Sequence, residues 1–309
     1  MDKVLFIDAH NAMWRACSSF GPPIKHEQCD HTQPKYANIS HGTDGPHCVC
    51  RSPWDVSDNH CYGEKYAYVF NFFRNLRPII EDFAPDKCFF VLEGHPHFRY
   101  QLYGDYKANR IIKQASRQEA SEKFTHAKDI ILPLMQYLPI TTCRAAKFEA
   151  DDVIGTLCNN LATEDLTVLS SDSDYIQLLQ KGYHNLQIYN PIKKTFMEAP
   201  TYPYVPWKCL NGDKSDNIPA ILKPKKALET VQDPTKFKAF LEVEENRANF
   251  SINRQLIEFG VVPEDDILLQ EGVRNFAILK LAFAQMKFES IINDKSWDKY
   301  HKTFDCLKY

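Results

Sequence analysis

Three short runs dominated by apolar residues predict buried β-strands at residues 4–7, 88–92 and 166–170. Apolar runs of this length, without strict alternation, are typical of parallel strands that are covered on both faces. Between the first two runs, apolar residues at helical spacing predict a helix over residues 66–83. The alternation of strands and helices therefore predicts an α/β fold with a central, mostly parallel sheet flanked by helices.

Residues 147–179 combine a predicted helix, the third strand and a dense group of acids. Apolar positions at Val153, Leu157 and Leu161 predict the helix, and three of the acids fall in its first turn, where the helix dipole favours anions. The other two acids lie in the turn after the strand. The acids are Glu149, Asp151, Asp152, Asp172 and Asp174. For either element alone, an acidic helix start or a solvated turn is the simpler interpretation.

The same arrangement recurs elsewhere in the chain, which changes that interpretation. Asp8 follows the first predicted strand, Glu93 follows the second, and Asp213 and Asp216 lie in a Gly/Asp/Asn/Pro-rich turn. Ligands of open α/β sheets bind at the carboxyl ends of the strands. Carboxylates this dense repel one another unless cations lie between them, and Mg²⁺ or Mn²⁺ prefers oxygen ligands. The pattern therefore predicts a two-metal site.

Composition limits the class of protein. A chain of 309 residues with 44% hydrophobic content is long enough for one large or two smaller domains. The net charge of −3 argues against a basic nucleic-acid coat over the whole surface, although a local basic groove is compatible with it. Neither a membrane-spanning run nor a signal-peptide pattern is present, so we expect a soluble protein of the cytoplasm.

Residues 98–125 interleave basic residues with tyrosines. Basic groups hold phosphates and aromatic rings stack bases, so this stretch suits a single nucleic-acid strand. Its candidate contacts include Arg99 and Lys113. A solvated amphipathic helix is the alternative interpretation.

Residues 21–63 form a separate segment rich in cysteine, histidine, glycine and proline. Such a segment buries too little apolar area to order itself, so a structural Zn²⁺ is one hypothesis. The first choice of ligands is Cys29, Cys48, Cys50 and Cys61. A disordered loop with free thiols is the alternative.

Taken together, the motifs FIDAHN, FFVLEG, YKANR, FEADDVIG, LSSDSDYIQLL and NGDKSDNIP resemble those of the 5′-nuclease family. That family includes flap endonucleases, the 5′→3′ exonuclease domain of bacterial DNA polymerase I, and phage 5′-nucleases, one of which is called RNase H. The resemblance runs from residue 1 to about residue 220, and phage-encoded members look most similar. It implies a PIN-like core and a helical arch over the active site.

The resemblance also implies roles for individual residues. The positions closest to a first metal match Asp8, Glu93, Glu149, Asp151 and Asp172, and those that complete a second match Asp152, Asp174, Asp213 and Asp216. Glu93 departs from the family, which usually has Asp there. Tyr106, Lys107 and Arg110 match the start of the arch, where Lys107 and Arg110 would stabilise charge on the scissile phosphate.

After Pro219, members of the family carry a helix–hairpin–helix element that grips duplex phosphates. The expected Gly-x-Gly hairpin is missing here, and side-chain charge from lysines would replace it. The candidate duplex contacts are Lys214, Lys223, Lys225 and Lys226. The implied organisation is a catalytic domain over residues 1–207 and a helical, helix-turn-helix-like duplex-binding region over residues 208–309.

The function that follows is a metal-dependent 5′→3′ exonuclease or flap endonuclease of DNA replication or repair, with two Mg²⁺ or Mn²⁺ ions. Its substrates would be DNA with a free 5′ end or flap, and RNA primers in RNA–DNA hybrids. A single-strand-binding protein, a clamp or a polymerase is the expected partner, and the chain is expected to be a monomer. Two alternatives remain: a metal-dependent phosphatase, and a non-catalytic nucleic-acid-binding relative with a degraded metal site.

Overall fold

A computed structural model describes residues 1–18, 66–110 and 118–308 of the chain. The strands are β1 (Lys3–Asp8), β2 (Lys87–Leu92), β3 (Thr141–Ala145), β4 (Asp165–Leu169), β5 (Leu186–Asn190), β6 (Thr195–Phe196) and β7 (Ile267–Gln270). The helices are α1 (Ala9–Ser18), α2 (Ala67–Phe83), α3 (His97–Leu102), α4 (Gln118–Met135), α5 (Ala150–Asn160), α6 (Ile176–Leu179), α7 (Tyr204–Asn211), α8 (Pro224–Val231), α9 (Pro234–Glu242), α10 (Glu244–Ile257), α11 (Phe276–Gln285), α12 (Glu289–Ile292) and α13 (Asp294–Lys302). Short 3₁₀ turns occupy Ser173–Tyr175, Glu264–Asp266 and Thr303–Cys306.

The strands of the described residues form one sheet in the order β6-β5-β4-β1-β2-β3-β7. Strand β4 pairs in parallel with both β1 and β5, and β6 runs antiparallel to β5 at the edge. The prediction of an α/β fold is therefore confirmed. Because Ile7 lies opposite Leu169, the residues that follow β1 and β4 leave the sheet side by side.

The chain divides into two compact units, and the first comprises residues 1–11, 89–118 and 143–269. Its core joins Val4 and Phe6 of β1 to Val168 of β4 and to Val153 and Ile154 of α5. The apolar stripe predicted for that helix is confirmed, since its buried side lies against the strands. Helices α8, α9 and α10 also belong to this unit, while the division predicted at residue 207 stays a prediction.

The second unit comprises residues 12–88, 119–142 and 270–309. Aromatic rings hold it together: Phe73 of α2 lies 5.0 Å from Phe283 of α11, and Trp297 stacks on Tyr300 within α13. The Tyr300 hydroxyl donates a hydrogen bond to the Phe73 carbonyl at 3.3 Å. The apolar pattern predicted for residues 66–83 thus marks a packing surface. Among the described helices, none has both the length and the apolar content required to cross a bilayer.

Candidate metal centre and nucleic-acid interface

The first acid of the site stands at the end of β1. Asp8 accepts hydrogen bonds from the Asn11 amide at 3.0 Å and from the Ser170 hydroxyl at 3.1 Å, and Ser170 directly follows β4. Burial and the nearby Asp172 carboxylate outweigh these hydrogen bonds and raise the pKa of Asp8 to about 6. Neighbouring strand ends therefore bring Asp8 and Asp172 into one electrostatic environment.

The second strand-end acid, Glu93, joins β2 to the start of α5. Its carboxylate accepts a hydrogen bond from the Ala150 amide at 3.0 Å. The next residue, Gly94, lies against the backbone at the end of β3, where an added Cβ would be 2.1 Å from the Ala145 carbonyl oxygen. Partial burial and the charge of Glu149 raise the pKa of Glu93 to about 7, although the residue as a whole is exposed.

Helix α5 begins with a close carboxylate triad of Glu149, Asp151 and Asp152, in which one oxygen from each lies within 4.8 Å of the others. Burial, followed by the charges of Asp152 and Glu149, raises the pKa of Asp151 well above its ordinary value. Asp151 forms no salt bridge within the described residues. It is therefore a carboxylate whose charge has no direct cationic partner.

Asp152 differs from Asp151 because each of its carboxylate oxygens accepts two hydrogen bonds. It accepts hydrogen bonds from both Arg99 Nη atoms, at 2.6 and 2.7 Å, and from the amides of Gly260 at 2.7 Å and Glu149 at 3.1 Å. The residue is fully buried. Its assignment as a ligand of a second metal stays a prediction, and this geometry leaves it no free oxygen.

The structure differs from the expectation that Arg99 contacts nucleic acid. Arg99 is only 1% exposed, and its guanidinium also donates to Glu149 at 2.8 Å and to the Leu256 carbonyl at 3.1 Å. Two buried carboxylates need a cation beside them, and Arg99 supplies it from α3. No donor remains for a phosphate, so Arg99 ties the acidic triad to the end of α10.

The base of the expected arch also lies against the acids. Lys107 forms a salt bridge with Glu149, the Tyr106 hydroxyl donates to Glu149 at 2.8 Å, and Arg110 pairs with Asp216. The Lys107 backbone amide donates to the Asp216 carbonyl at 2.9 Å. Burial lowers the pKa of Lys107, but the Glu149 and Asp216 carboxylates have the larger effect and raise it overall. The side chain therefore remains a cation.

A second acidic pair, Asp174 and Asp213, encloses Lys208 of α7. Burial alone would raise the pKa of Asp213, but the charge of Lys208 and hydrogen bonds from Lys208 and Ser215 outweigh it and lower the pKa to about 2. Sequence reasoning missed Lys208. The available signal was a lysine in a mostly apolar helix, five residues before Asp213.

The predicted acids therefore fall into two groups. Four form no salt bridge among the described side chains, whereas each of the other five pairs with a lysine or arginine. The four without a salt bridge are Asp8, Glu93, Asp151 and Asp172. All four lie near the buried Tyr175 hydroxyl, another residue that sequence reasoning missed, and together with burial they raise its pKa.

The remaining candidate contacts are either exposed or outside the described residues. Lys214, Lys223, Lys225 and Lys226 are all exposed, and the last three surround the start of α8. Lys113 and the proposed zinc ligands Cys29, Cys48, Cys50 and Cys61 fall outside the described residues. The described cysteines are free thiols.

A family model described as the 5′-3′ exonuclease, N-terminal resolvase-like domain matches residues 43–202, just over half of the chain. The chain belongs to this family of 5′-nucleases. It is 31% identical over 210 residues to the 5′-3′ exonuclease of Bacillus subtilis, covering 63% of this chain and 64% of that protein. It is 27% identical over 259 residues to DNA polymerase I of Chloroflexus aurantiacus, covering 73% of this chain but only 27% of the polymerase.

A solved structure of the flap endonuclease of bacteriophage T5, in a pseudo-enzyme–product complex with DNA and metal ions, shares the fold. Its TM-score is 0.54 at 14% identity, and the match covers 97% of both chains. A structure of the T5 5′-exonuclease with zinc ions bound matches with a TM-score of 0.53 and the same identity. At this identity, these likenesses establish the architecture alone.

Proposed function

We propose that this chain is a divalent-metal-dependent 5′-nuclease that hydrolyses phosphodiester bonds near the 5′ ends of DNA. The observation that carries the proposal is the group Asp8, Glu93, Asp151 and Asp172, whose members have no salt bridges in the described structure. Asp8 ends β1, Glu93 and Asp172 follow β2 and β4, and Asp151 lies in the first turn of α5. Structural acids are normally paired when they are held this close together. A site that concentrates unpaired carboxylates is suited to binding cations.

These residues fit a hard dication by their own chemistry. All of the donors are carboxylate oxygens, the type that Mg²⁺ and Mn²⁺ prefer. Burial, together with neighbouring carboxylates, raises the pKa values of Asp8, Glu93 and Asp151, so a bound cation would stabilise their ionised forms. We therefore assign these acids and Asp172 as the principal ligands, with Glu149 as a further candidate.

Bound divalent ions would activate water as a nucleophile and polarise the phosphate. The chain itself would supply positive charge through Lys107 and Arg110, which neutralise Glu149 and Asp216 in the free protein. A phosphate at the site would compete for both cations, because it carries negative charge within their reach. Tyr106 is buried, so we assign it to positioning Glu149 rather than to stacking on a base.

The names of the relatives support the substrate class. We propose DNA with a 5′ flap or free 5′ end as the substrate, and RNA primers paired to DNA as a further one. A polymerase is the partner that the similarity to polymerase I favours. A single-strand-binding protein or clamp remains a further proposal.

The decisive test is cleavage of a 5′-labelled DNA flap by the purified full chain. We expect products within the flap region in the presence of Mg²⁺ or Mn²⁺ and none in EDTA, because the acidic site then lacks its cations. Gel analysis of the labelled products measures both rate and cleavage position. Cleavage that persists in EDTA, or binding without any cleavage in Mn²⁺, would contradict the proposal; release of phosphate alone would instead favour the phosphatase.

The three lysines around the start of α8 allow a separate test of duplex binding. We expect the triple variant Lys223→Gln, Lys225→Gln, Lys226→Gln to bind duplex DNA more weakly and with less dependence on salt. Each lost phosphate contact removes about 0.9 from the slope of log affinity against log salt, so loss of all three removes roughly 2.7. Fluorescence anisotropy at several salt concentrations, with EDTA to prevent cleavage, measures this slope.

A matched control removes the same charge from another exposed surface. Lys181, Lys193 and Lys194 are all exposed, and we expect their replacement by Gln to leave the slope nearly unchanged. Equal slopes for both triple variants would show that general charge, rather than α8, directs duplex binding.

A further inference from the structure

Among the lysines of the described residues, Lys208 is the most deeply buried. Its side chain is 8% exposed, and its ammonium group contacts Asp174 and lies 2.8 Å from Asp213. Burial opposes the charged form, but the two carboxylates outweigh burial and raise the pKa of Lys208. An ammonium group held between two acids occupies the position that a bound cation would need.

The backbone is built to hold this arrangement. Helix α7 ends at Asn211, and the next residue, Gly212, has a φ of 71° that turns the chain back. An added Cβ at Gly212 would lie 2.6 Å from the Ile218 carbonyl oxygen, so glycine is required there. Asp213 then pairs with Ile218 through two backbone hydrogen bonds, which places the Asp213 carboxylate over the Lys208 side chain.

Each acid predicted for the second metal is paired with a basic side chain. Asp152 is paired with Arg99, Asp216 with Arg110, and the remaining two acids with Lys208. Of these cations, Arg99 is locked by five hydrogen bonds, and Arg110 is half exposed. Lys208 differs from both arginines because it pairs with two of the acids predicted for the second metal, Asp174 and Asp213.

We propose that Lys208 fills the second cation position. The chain then holds one divalent ion tightly at Asp8, Glu93, Asp151 and Asp172. A second ion gains Asp174 and Asp213 only when the Lys208 side chain moves away, so Lys208 sets the affinity of that position. This inference rests on the proposed metal-dependent nuclease function.

Titration of the full chain with Mn²⁺, followed by electron paramagnetic resonance of the free ion, tests the inference without relying on activity. For the unaltered protein we expect one tight ion and a much weaker second one. In Lys208→Met the two carboxylates lose their resident cation, and we expect the second ion to bind roughly 10- to 100-fold more tightly. Lys208→Arg keeps the charge and should leave the second ion weak.

Lys238→Met is the matched control, because Lys238 is an exposed lysine of α9 and its replacement should leave both affinities unchanged. Circular dichroism of Lys208→Met with and without Mn²⁺ checks folding, and Lys208→Gln repeats the test with a polar side chain. Two equally tight ions in the unaltered protein, or no tightening in either variant, would overturn the inference. In contrast, an unaltered protein that cleaves flap DNA in Mg²⁺ but fails this titration leaves the nuclease function standing.

Discussion

The Asp151→Asn variant is expected to cleave flap DNA at least about 100-fold more slowly than the unaltered chain while remaining folded. Even the outer partners of metal ligands are worth 10- to 100-fold in metal affinity or activity, so a ligand itself should reach the upper end of that range. Asparagine keeps the shape of the Asp151 side chain but removes the charge that would hold a cation. Single-turnover cleavage in Mg²⁺ measures the effect.

Although Asp151→Asn should lower the cleavage rate, it should raise the free energy of unfolding in the absence of divalent ions. In the folded protein without divalent ions, burial and the neighbouring acids raise the pKa of Asp151, so folding disfavours its ionised form. The wild-type chain therefore loses stability as the pH rises from the unfolded pKa of Asp through the folded pKa. The amide side chain of the variant is neutral throughout, so the variant should be more stable than the wild type at pH 8, with a smaller difference near pH 5.

Denaturant unfolding in EDTA at both pH values measures this difference. Asp265→Asn is a suitable control because Asp265 is an exposed acid of the 264–266 turn. It should change neither cleavage nor the pH dependence of stability. A fully active Asp151→Asn enzyme would remove Asp151 from the proposed ligand set.

The Arg99→Met variant is expected to lower the free energy of unfolding by about 3–5 kcal/mol, the usual cost of removing one partner from a buried ion pair. Methionine fills much of the space but leaves Asp152 and Glu149 buried without a guanidinium. The backbone contacts from Arg99 to Leu256 and Glu258 are also lost. Urea unfolding at pH 7 measures the change.

Arg254→Met is the matched control for a surface arginine. Arg254 pairs with Glu258 one helical turn away, in an exposed salt bridge, and such pairs contribute only about 0.3–0.5 kcal/mol. The double variant Arg99→Met, Asp152→Asn removes the stranded charge and should recover part of the loss. If Arg99→Met were as stable as Arg254→Met, the internal role of Arg99 would be refuted.

Local patterns were sufficient to predict much of the fold. The apolar runs at residues 4–7, 88–92 and 166–170 became β1, β2 and β4, each within one residue of the prediction at either end. The helix expected over residues 66–83 is α2, shortened by one residue. These elements were predictable because a buried strand or a one-sided helix requires apolar residues at a fixed spacing.

The candidate site was predictable in its acids but not in its cations. Strand ends and motif resemblance indicated the carboxylates, and their assignment as metal ligands stays a prediction. Neither signal separated Asp151, which has no salt bridge, from Asp152, whose carboxylate is held by Arg99 and by two backbone amides. Arg99 also carried a misleading signal, since an arginine among tyrosines resembles a nucleic-acid contact as closely as it resembles an internal counter-ion.

The order of amino acids alone settled strands β1, β2 and β4 and helices α2 and α5, because their hydrophobic spacing is read from neighbours along the chain. It also settled that carboxylates follow several strand ends. Only the folded structure decided which carboxylates are neutralised, since Lys208 and Arg99 meet their partners across 34 and 53 residues, respectively. Charge pairing depends on distance in space and on exclusion of water, and neither quantity is written in local sequence.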